Sequence, residues 1–234
     1  MPTHVNALAI MAKAPLAGFV KTRLVPPLTF QQAAEFYRAL LCDQLTNLKN
    51  FTGAERYVAY APDQAETMMR DLAGAGYRFL PQRGDDLGAR MKQLFSDLRS
   101  LGHSRAVLIG SDLPALPMDI LRDAFAKLDG AARQVVLGPS RDGGYYLVGM
   151  NQPTPEIFEN MTWSHDRVLA QTTERLNRLG VAVRLTAGWF DLDTVDDLRR
   201  FSDPAAAIEP VATPRTRSYL QMLQRSGCLS RQGS

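Results

Sequence analysis

The sequence contains few cysteines and no long apolar run, and these absences argue against several classes of protein. It contains two cysteines in 234 residues, Cys42 and Cys228, and neither belongs to a CxxC pair. A disulfide framework and a cysteine zinc cluster are therefore not expected. No apolar run approaches the ~20 residues of a membrane-spanning helix, and no basic residue precedes the first apolar run, residues 7–12. We therefore expect neither a membrane span nor a signal peptide, and we expect a cytoplasmic protein.

Long blocks of one charge are also missing. The chain has 27 Lys and Arg against 24 Asp and Glu, for a net charge of +3, which by itself suits an anionic small molecule as well as a nucleic acid. It lacks the basic stripe with interleaved aromatic residues that single-strand binders use. Because 45% of the residues are hydrophobic and 22% are charged, the composition is that of a globular protein. We expect small-molecule partners and no nucleic acid.

Apolar strands alternate with helical patterns along most of the chain. Residues 5–11 form a continuous apolar run, which is typical of a strand covered on both faces, and Thr29 with Gln32 forms a capping box at the start of a helix. This alternation predicts an α/β fold, a three-layer α/β/α sandwich with a mostly parallel sheet. We expect one domain over residues 1–201 and a tail over 202–234, with a candidate helix near residues 219–223.

The loop that follows the first strand is rich in cations. It contains Lys13, Gly18, Lys21 and Arg23, at the end of a strand where doubly wound sheets bind phosphates. Several cations in one loop neutralise much of a polyphosphate's charge, and arginine adds bidentate contacts. We predict that these four residues bind a nucleotide and that Lys21 and Arg23 act in catalysis.

The loop has two other interpretations. A phosphate-binding loop of the GxxxxGK[ST] type requires a glycine where the chain has Val20, and Pro26 and Pro27 would stop the helix that should follow. That motif is therefore excluded. A basic turn that merely faces solvent is the alternative to a nucleotide site.

Three aspartates have the chemistry of a metal site. Asp191 and Asp193 are two residues apart, so that on an extended backbone both point to one face, and Asp112 follows the apolar strand 106–110. Magnesium binds through one or two carboxylates together with substrate phosphates. The alternatives are a turn residue at Asp112 and helix-dipole partners at Asp191 and Asp193. Because Thr194 already begins the next helix with a capping box, we favour Mg²⁺ or Mn²⁺ bound by all three aspartates, with Asp112 also catalytic.

Weaker signals complete the predicted site. The glycine-containing segment 82–90 is either a turn before a helix or a place where backbone approaches a nucleoside, and we include Arg90 among the nucleotide-binding residues. Asp142, Gly143 and Gly144 form a good hairpin turn by sequence and are also candidates for binding the acceptor. Ser164 lies before a helix, whose N-terminus suits an anionic group. His165, beside it, is a weak candidate for catalysis.

Five ordered motifs, over about residues 8–201, carry a family resemblance. They are MAKAPLAGFVKTRL, IGSDLPAL, GPSRDGGYYLVG, MTWS and FDLDTVDDL. The chain resembles a bacterial family of transferases with the GT-A glycosyltransferase fold, formerly a domain of unknown function. It is also similar to 2-phospholactate guanylyltransferase and, more distantly, to the molybdenum-cofactor guanylyltransferases.

The resemblance implies roles for particular residues. It places a divalent metal on Asp112, Asp191 and Asp193, nucleotide phosphates on Lys13, Lys21 and Arg23, and an acceptor on Gly143, Gly144 and Ser164. The glycine-rich loop that usually opens nucleotidyltransferases is replaced here by residues 14–18, and two tyrosines, Tyr145 and Tyr146, follow the glycine pair. A phospholactate acceptor is not expected with these tyrosines.

Together these features predict a metal-dependent transferase that acts on a nucleotide. We expect nucleotidyl transfer from an NTP to a small phosphorylated or hydroxyl acceptor, with release of pyrophosphate. The first alternative is a glycosyltransferase that uses a nucleoside-diphosphate sugar and needs a base, for which Asp142 and His165 are candidates. The second is a nucleotide-binding accessory protein without turnover. A homodimer is compatible with the sequence, and the tail is a candidate interface.

Overall fold

The computed structural model describes residues 5–163, 165–203 and 212–229 of the chain. The strands within these ranges are β1 (Asn6–Lys13), β2 (Glu55–Ala61), β3 (Arg78–Pro81), β4 (Arg105–Gly110), β5 (Gln134–Pro139), β6 (Tyr145–Met150) and β7 (Ala182–Leu185). The α-helices are α1 (Phe30–Leu48), α2 (Glu66–Ala73), α3 (Leu87–Ser100), α4 (Met118–Ala126), α5 (Val168–Arg178), α6 (Val195–Ser202) and α7 (Pro214–Arg225). None of the helices in these ranges is both long and apolar enough to cross a membrane.

The seven strands form one sheet in the order β3-β2-β1-β4-β6-β5-β7. β1 pairs in parallel with β2 and with β4, and β5 pairs in parallel with β7. Only β6 runs the other way, because it pairs antiparallel with both β4 and β5. The predicted hairpin between β5 and β6 is present. The predicted three-layer α/β sandwich with a mostly parallel sheet is confirmed.

Both faces of the sheet are covered, which explains why β1 has no polar alternation. Successive side chains of a strand point to opposite faces. Leu8 and Ile10 pack in a cluster with α1, α2 and α4 on one face, while Ala7 and Ala9 pack with α3 and α5 on the other. Each face therefore needs an apolar residue at every position of the strand.

The strand order creates a crevice at one edge of the sheet. From β1 the chain crosses to β2 on one side, whereas β4 lies on the other side of β1. The connections that follow β1 and β4 therefore lead to opposite sides and leave a crevice between these strands, and α/β sheets bind ligands outside the carboxyl ends of such strands. The cationic loop after β1 and the Asp112 segment after β4 meet at this crevice.

A third apolar cluster joins α6 and α7 to α1. Phe36, Phe201 and Leu220 are among its buried residues. Asp43 of α1 is 1% exposed, and its carboxylate accepts hydrogen bonds from the backbone N–H and the hydroxyl of Thr216, both at 2.8 Å, in the first turn of α7. Helix α7 includes residues 219–223, where the sequence predicts a candidate helix. The division of the chain into a domain that ends at residue 201 and a tail stays a prediction.

Candidate active site

A cavity of about 690 Å³ lies at this crevice. Its walls come from the end of β1 and the loop after it, from α1, from the β3–α3 loop and the start of α3, and from the end of β4. The β5–β6 turn with β6, the residues before α5 and the segment before α6 complete them. All eight charged residues of the predicted site line it, namely Lys13, Lys21, Arg23, Arg90, Asp112, Asp142, Asp191 and Asp193. The structure therefore brings together residues that are up to 180 positions apart in the sequence.

Lys21 lies at the centre of the charged part of the cavity. Its backbone has φ 50 and ψ 35, a left-handed conformation, and it begins the short 3₁₀ helix Thr22–Leu24. The side chain is only 2% exposed, and its Nζ lies 2.8 Å from Oδ1 of Asp112 and 3.4 Å from Oδ1 of Asp193. The contact with Asp112 is an ion pair rather than an aligned hydrogen bond, since Oδ1 of Asp112 has no hydrogen-bond partner among the described residues. One ammonium group thus bridges two predicted metal ligands.

Arg23 completes this ion-pair network from the solvent side. Its Nη1 lies 2.7 Å from Oδ2 of Asp193, with the arginine side chain 69% exposed. The two oxygens of Asp193 are therefore shared between a buried ammonium and an exposed guanidinium. An exposed pair of this kind contributes little to stability, because both charges are well hydrated when apart.

The backbone around Leu192 directs both neighbouring aspartates into the cavity. Leu192 is fully buried in the cluster with α1, and its N–H donates to the carbonyl of Asp112 at 3.1 Å. Because side chains alternate along extended backbone, burial of Leu192 turns Asp191 and Asp193 to the opposite side, where they line the cavity. Thr194 and Asp197 then form the predicted capping box of α6, so neither cavity aspartate is needed as a cap.

Asp191 carries a negative charge in an unfavourable position. Its pKa is raised to about 6, chiefly by burial and further by the nearby carboxylates of Asp142 and Asp193, while Lys21 opposes the shift. No salt bridge within the described part of the chain includes Asp191. At pH 7 the carboxyl group is mostly ionised, and a cation at contact distance would stabilise its negative charge.

The donor set suits a hard divalent cation, although it is not assembled as a ready-made cage. Asp112, Asp191 and Asp193 supply carboxylate oxygens, the ligands that Mg²⁺ and Mn²⁺ prefer. Among the described residues, however, no three acidic, histidine or cysteine side chains converge closely enough to hold an ion by themselves. A site that uses one or two carboxylates and completes its shell with water and phosphate does not require such convergence. The three-aspartate metal site stays a prediction.

The other predicted nucleotide residues differ in their placement. Lys13 and Arg90 line the cavity; Lys13 is exposed, and Arg90 donates from Nε to the carbonyl of Gly84 at 3.0 Å. Gly18 has φ +83 and no atom near the position of a Cβ, and it is not among the described residues that line the cavity. Its conformation suits a turn in the loop, and its role in nucleotide binding stays a prediction.

On the predicted acceptor side, the β5–β6 turn is held by its own aspartate. Asp142 accepts hydrogen bonds from the Ser140 hydroxyl and from the backbone N–H of Gly144, the latter at 3.0 Å. Gly143 has φ +86, and a Cβ there would lie 2.0 Å from the carbonyl oxygen of Asp166. Asp142 and Gly144 line the cavity, whereas Gly143 is not among the described residues that line it. Ser164 lies outside the described residues.

His165 lines the cavity with one ring nitrogen already engaged. Its Nδ1 accepts a hydrogen bond from the backbone N–H of Arg167 at 3.1 Å. When Nδ1 accepts, the neutral ring carries its proton on Nε2. The free nitrogen of a neutral His165 is therefore a donor, which suits substrate binding better than proton abstraction.

Sequence reasoning missed several polar contacts that shape the site. The sequence pattern gives no role in the site to Tyr37 of α1, yet its hydroxyl lies 2.8 Å from Oγ of Ser111 and accepts from the backbone N–H of Lys13 at 3.2 Å. Gln82 donates to the carbonyls of Ala12 and Ala59 and so holds the β3–α3 loop against the sheet. A signal for Tyr37 existed, because a buried tyrosine hydroxyl normally finds a partner.

An aromatic wall was also missed. Tyr145 and Trp163 meet edge to face with ring centroids 6.4 Å apart, and both line the cavity. Gly88, in the first turn of α3, makes room for the indole, because a Cβ there would lie 2.8 Å from Cζ2 of Trp163. The cavity therefore has a charged end at Lys21 and a flat aromatic surface beside the β5–β6 turn.

Comparison with known proteins supports the fold and the class of enzyme. A presumed nucleotide-diphospho-sugar transferase from Desulfovibrio desulfuricans G20 has a TM-score of 0.87 and 28% sequence identity, with 97% of each chain covered. A cytidylyltransferase from Leptospira borgpetersenii serovar Hardjo-bovis (strain JB197) has a TM-score of 0.61 over 99% of this chain and 98% of that chain. At 11% identity this second similarity shows the fold alone.

The predicted class of enzyme, a transferase, is confirmed by the similarity to the Desulfovibrio structure. No functionally curated protein matches the sequence. Residues 44–165, more than half of the chain, match the family described as "uncharacterized protein conserved in bacteria (DUF2064)", in agreement with the resemblance that the motifs carry. The chain belongs to this bacterial family.

Proposed function

We propose that the protein transfers a nucleotidyl group from an NTP to a small phosphorylated or hydroxyl acceptor and releases pyrophosphate. That it is a transferase that uses a nucleotide is supported by the Desulfovibrio structure, whose name specifies a nucleotide-diphospho-sugar donor. The finer assignment depends on one observation: Lys13, Lys21, Arg23 and Arg90 face three carboxylates across a single cavity.

The cations of the cavity divide into two groups with different roles. Lys21 and Arg23 are paired with Asp112 and Asp193, whereas Lys13 and Arg90 form no salt bridge within the described residues. The unpaired cations are therefore available for the outer phosphates of an incoming nucleotide. In this proposal Lys21 and Arg23 stabilise the charge that develops on the attacked phosphate, which is the main catalytic device in phosphoryl and nucleotidyl transfer.

Asp112, Asp191 and Asp193 would hold Mg²⁺ or Mn²⁺, which when bound neutralises phosphate charge and aligns the leaving pyrophosphate. Without such an ion, the two cations and three carboxylates at this end leave one negative charge, which would repel a triphosphate. The acceptor would lie against Tyr145 and Trp163, beside Asp142 and Gly144 at the turn. No covalent intermediate on the protein is required.

Glycosyl transfer from a nucleoside-diphosphate sugar is the second candidate, and the name of the Desulfovibrio protein favours it. An inverting reaction of this kind needs a base beside the acceptor. Both candidate bases already make hydrogen bonds within the protein. One oxygen of Asp142 accepts from the backbone of the β5–β6 turn, and Nδ1 of His165 accepts from the backbone N–H of Arg167. Nucleotidyl transfer to a phosphate acceptor needs no strong base, so the geometry supports it better.

A thermal-shift panel separates the two candidates. The four NTPs and a set of UDP-, GDP- and dTDP-sugars are each tested with and without Mn²⁺. A ligand at about a hundred times its Kd should stabilise the fold by roughly 2.7 kcal/mol. We expect metal-dependent stabilisation by at least one NTP, followed by pyrophosphate release when acceptors are added. Stabilisation by one or more sugar nucleotides, with no stabilisation by any NTP, would refute nucleotidyl transfer.

A further inference from the structure

The position of the Lys21 ammonium resembles that of a bound cation. Its side chain is 2% exposed, and its Nζ lies between Oδ1 of Asp112 at 2.8 Å and Oδ1 of Asp193 at 3.4 Å. The left-handed backbone of Lys21 is uncommon for a residue with a side chain, and strain of this kind persists where the surroundings hold it in place. Both aspartates are among the candidate ligands of a divalent ion.

We propose that Lys21 and a divalent cation compete for the same carboxylates, so that Lys21 determines when the metal binds. This inference rests on the proposed function for the identity of the cation. One buried charge cannot share the space between Asp112 and Asp193 with an ion of charge +2 at close range, because the two positive charges repel each other strongly where water is excluded. Metal entry therefore requires the ammonium to leave.

A nucleotide supplies the alternative partner for Lys21. Its phosphate oxygens are strong acceptors for an ammonium group, and the unpaired Lys13 and Arg90 line the same cavity and are available to bind them. Once Lys21 turns from the carboxylates to a phosphate, Asp112 and Oδ1 of Asp193 are free for the metal, while Oδ2 of Asp193 keeps its ion pair with Arg23. Nucleotide and metal then strengthen each other's binding, and the protein without nucleotide holds metal weakly.

Metal binding without any nucleotide tests this competition. Mn²⁺ affinity of the full chain is measured by calorimetry and by the electron paramagnetic resonance signal of free Mn²⁺. The variant Lys21→Met keeps the length of the side chain and removes its charge, while Lys21→Arg keeps the charge. Lys13→Met, in the same loop, is the matched control for loss of one positive charge from the cavity.

We expect Lys21→Met to bind Mn²⁺ about 5- to 150-fold more tightly than the wild type, the usual range of coupling between two sites. Lys13→Met and Lys21→Arg should stay near the wild-type affinity. Adding Asp112→Asn to Lys21→Met should abolish the gain. Equal affinities of Lys21→Met and wild type, or an equal gain in Lys13→Met, would refute the competition.

Folding is checked by circular dichroism, and Lys21→Ala replaces Lys21→Met if the longer apolar side chain is not tolerated. The metal measurement is independent of the reaction. Tighter Mn²⁺ binding by Lys21→Met in a protein that binds no nucleotide would leave the competition standing and refute the proposed function. Nucleotide binding together with unchanged Mn²⁺ affinity would refute the competition alone.

Discussion

The two aspartates that contact Lys21 should differ in what they contribute to stability. Asp112→Asn removes the nearer partner of an ammonium that is 2% exposed and leaves only Asp193, at 3.4 Å. Loss of one partner from a fully buried pair costs about 3–5 kcal/mol. Because the Asp112 side chain is 38% exposed and Lys21 keeps a second carboxylate, we expect about 2 kcal/mol here.

Asp193→Asn should destabilise the fold less than Asp112→Asn does, but it should reduce the activity as much. It removes the pair with Arg23, whose side chain is 69% exposed, and such pairs contribute about 0.2–1 kcal/mol. Lys21 keeps Asp112, so we expect a loss of about 1 kcal/mol in total. For a chain of this size, 1 kcal/mol corresponds to about 2–4 °C in Tm.

Thermal unfolding and turnover of both variants provide the test. We expect Asp112→Asn to lower Tm by about 4–8 °C and Asp193→Asn by about 2–4 °C. Each variant should lower kcat about a hundredfold or more, the scale of losing one charge-stabilising group. Asp196→Asn, which removes an exposed pair with Arg199 on α6, is the matched control and should change neither quantity measurably. A larger Tm loss in Asp193→Asn than in Asp112→Asn would refute this account of Lys21.

Three further predictions follow from single contacts. Asp43→Ala should cost about 3 kcal/mol in denaturant unfolding, because it leaves the buried donors of Thr216 without a partner; an unchanged midpoint would show that α7 is held by its apolar face alone. Gly143→Ala should cost about 3 kcal/mol, from the left-handed backbone and from a Cβ 2.0 Å from the Asp166 carbonyl oxygen, and a Tm near that of the wild type would contradict the packing role. His165→Gln should lower kcat by less than about tenfold, whereas loss of a general base costs about 10²–10⁴-fold.

The layers of the fold could be read from the sequence because each depends on a local pattern. The uninterrupted apolar run of β1 predicted cover on both faces, and the capping boxes at Thr29 and Thr194 fixed the starts of α1 and α6, as the structure has them. The strand order could not be predicted in this way. Which strand lies beside β1 depends on packing between distant segments, and no local pattern encodes it.

The candidate site was predicted in its composition but not in its internal pairing. Asp112 was predicted because it follows a buried strand, at the edge where α/β sheets bind ligands, and Asp191 and Asp193 because residues two apart on an extended backbone point to one face. The bridge from Lys21 to two of these aspartates depends on the left-handed turn of Lys21 and on burial of Leu192. Neither is visible in a list of charges. Sequence reasoning therefore assigned Lys21 to the phosphates alone.

This pairing changes how the charge of the site should be understood. Counted from the sequence, the loop after β1 offers three cations to a nucleotide, whereas the structure leaves Lys13 unpaired and engages Lys21 and Arg23 with carboxylates. In the empty site Lys21 and Arg23 are paired with Asp112 and Asp193, so a phosphate that binds Lys21 or a metal that binds Asp112 must first displace the existing partner, which weakens the binding of either one alone. Only a nucleotide and a metal arriving together replace both sets of contacts. A transferase that works in the presence of abundant phosphate and magnesium gains selectivity from this arrangement, since neither ion alone can complete the exchange.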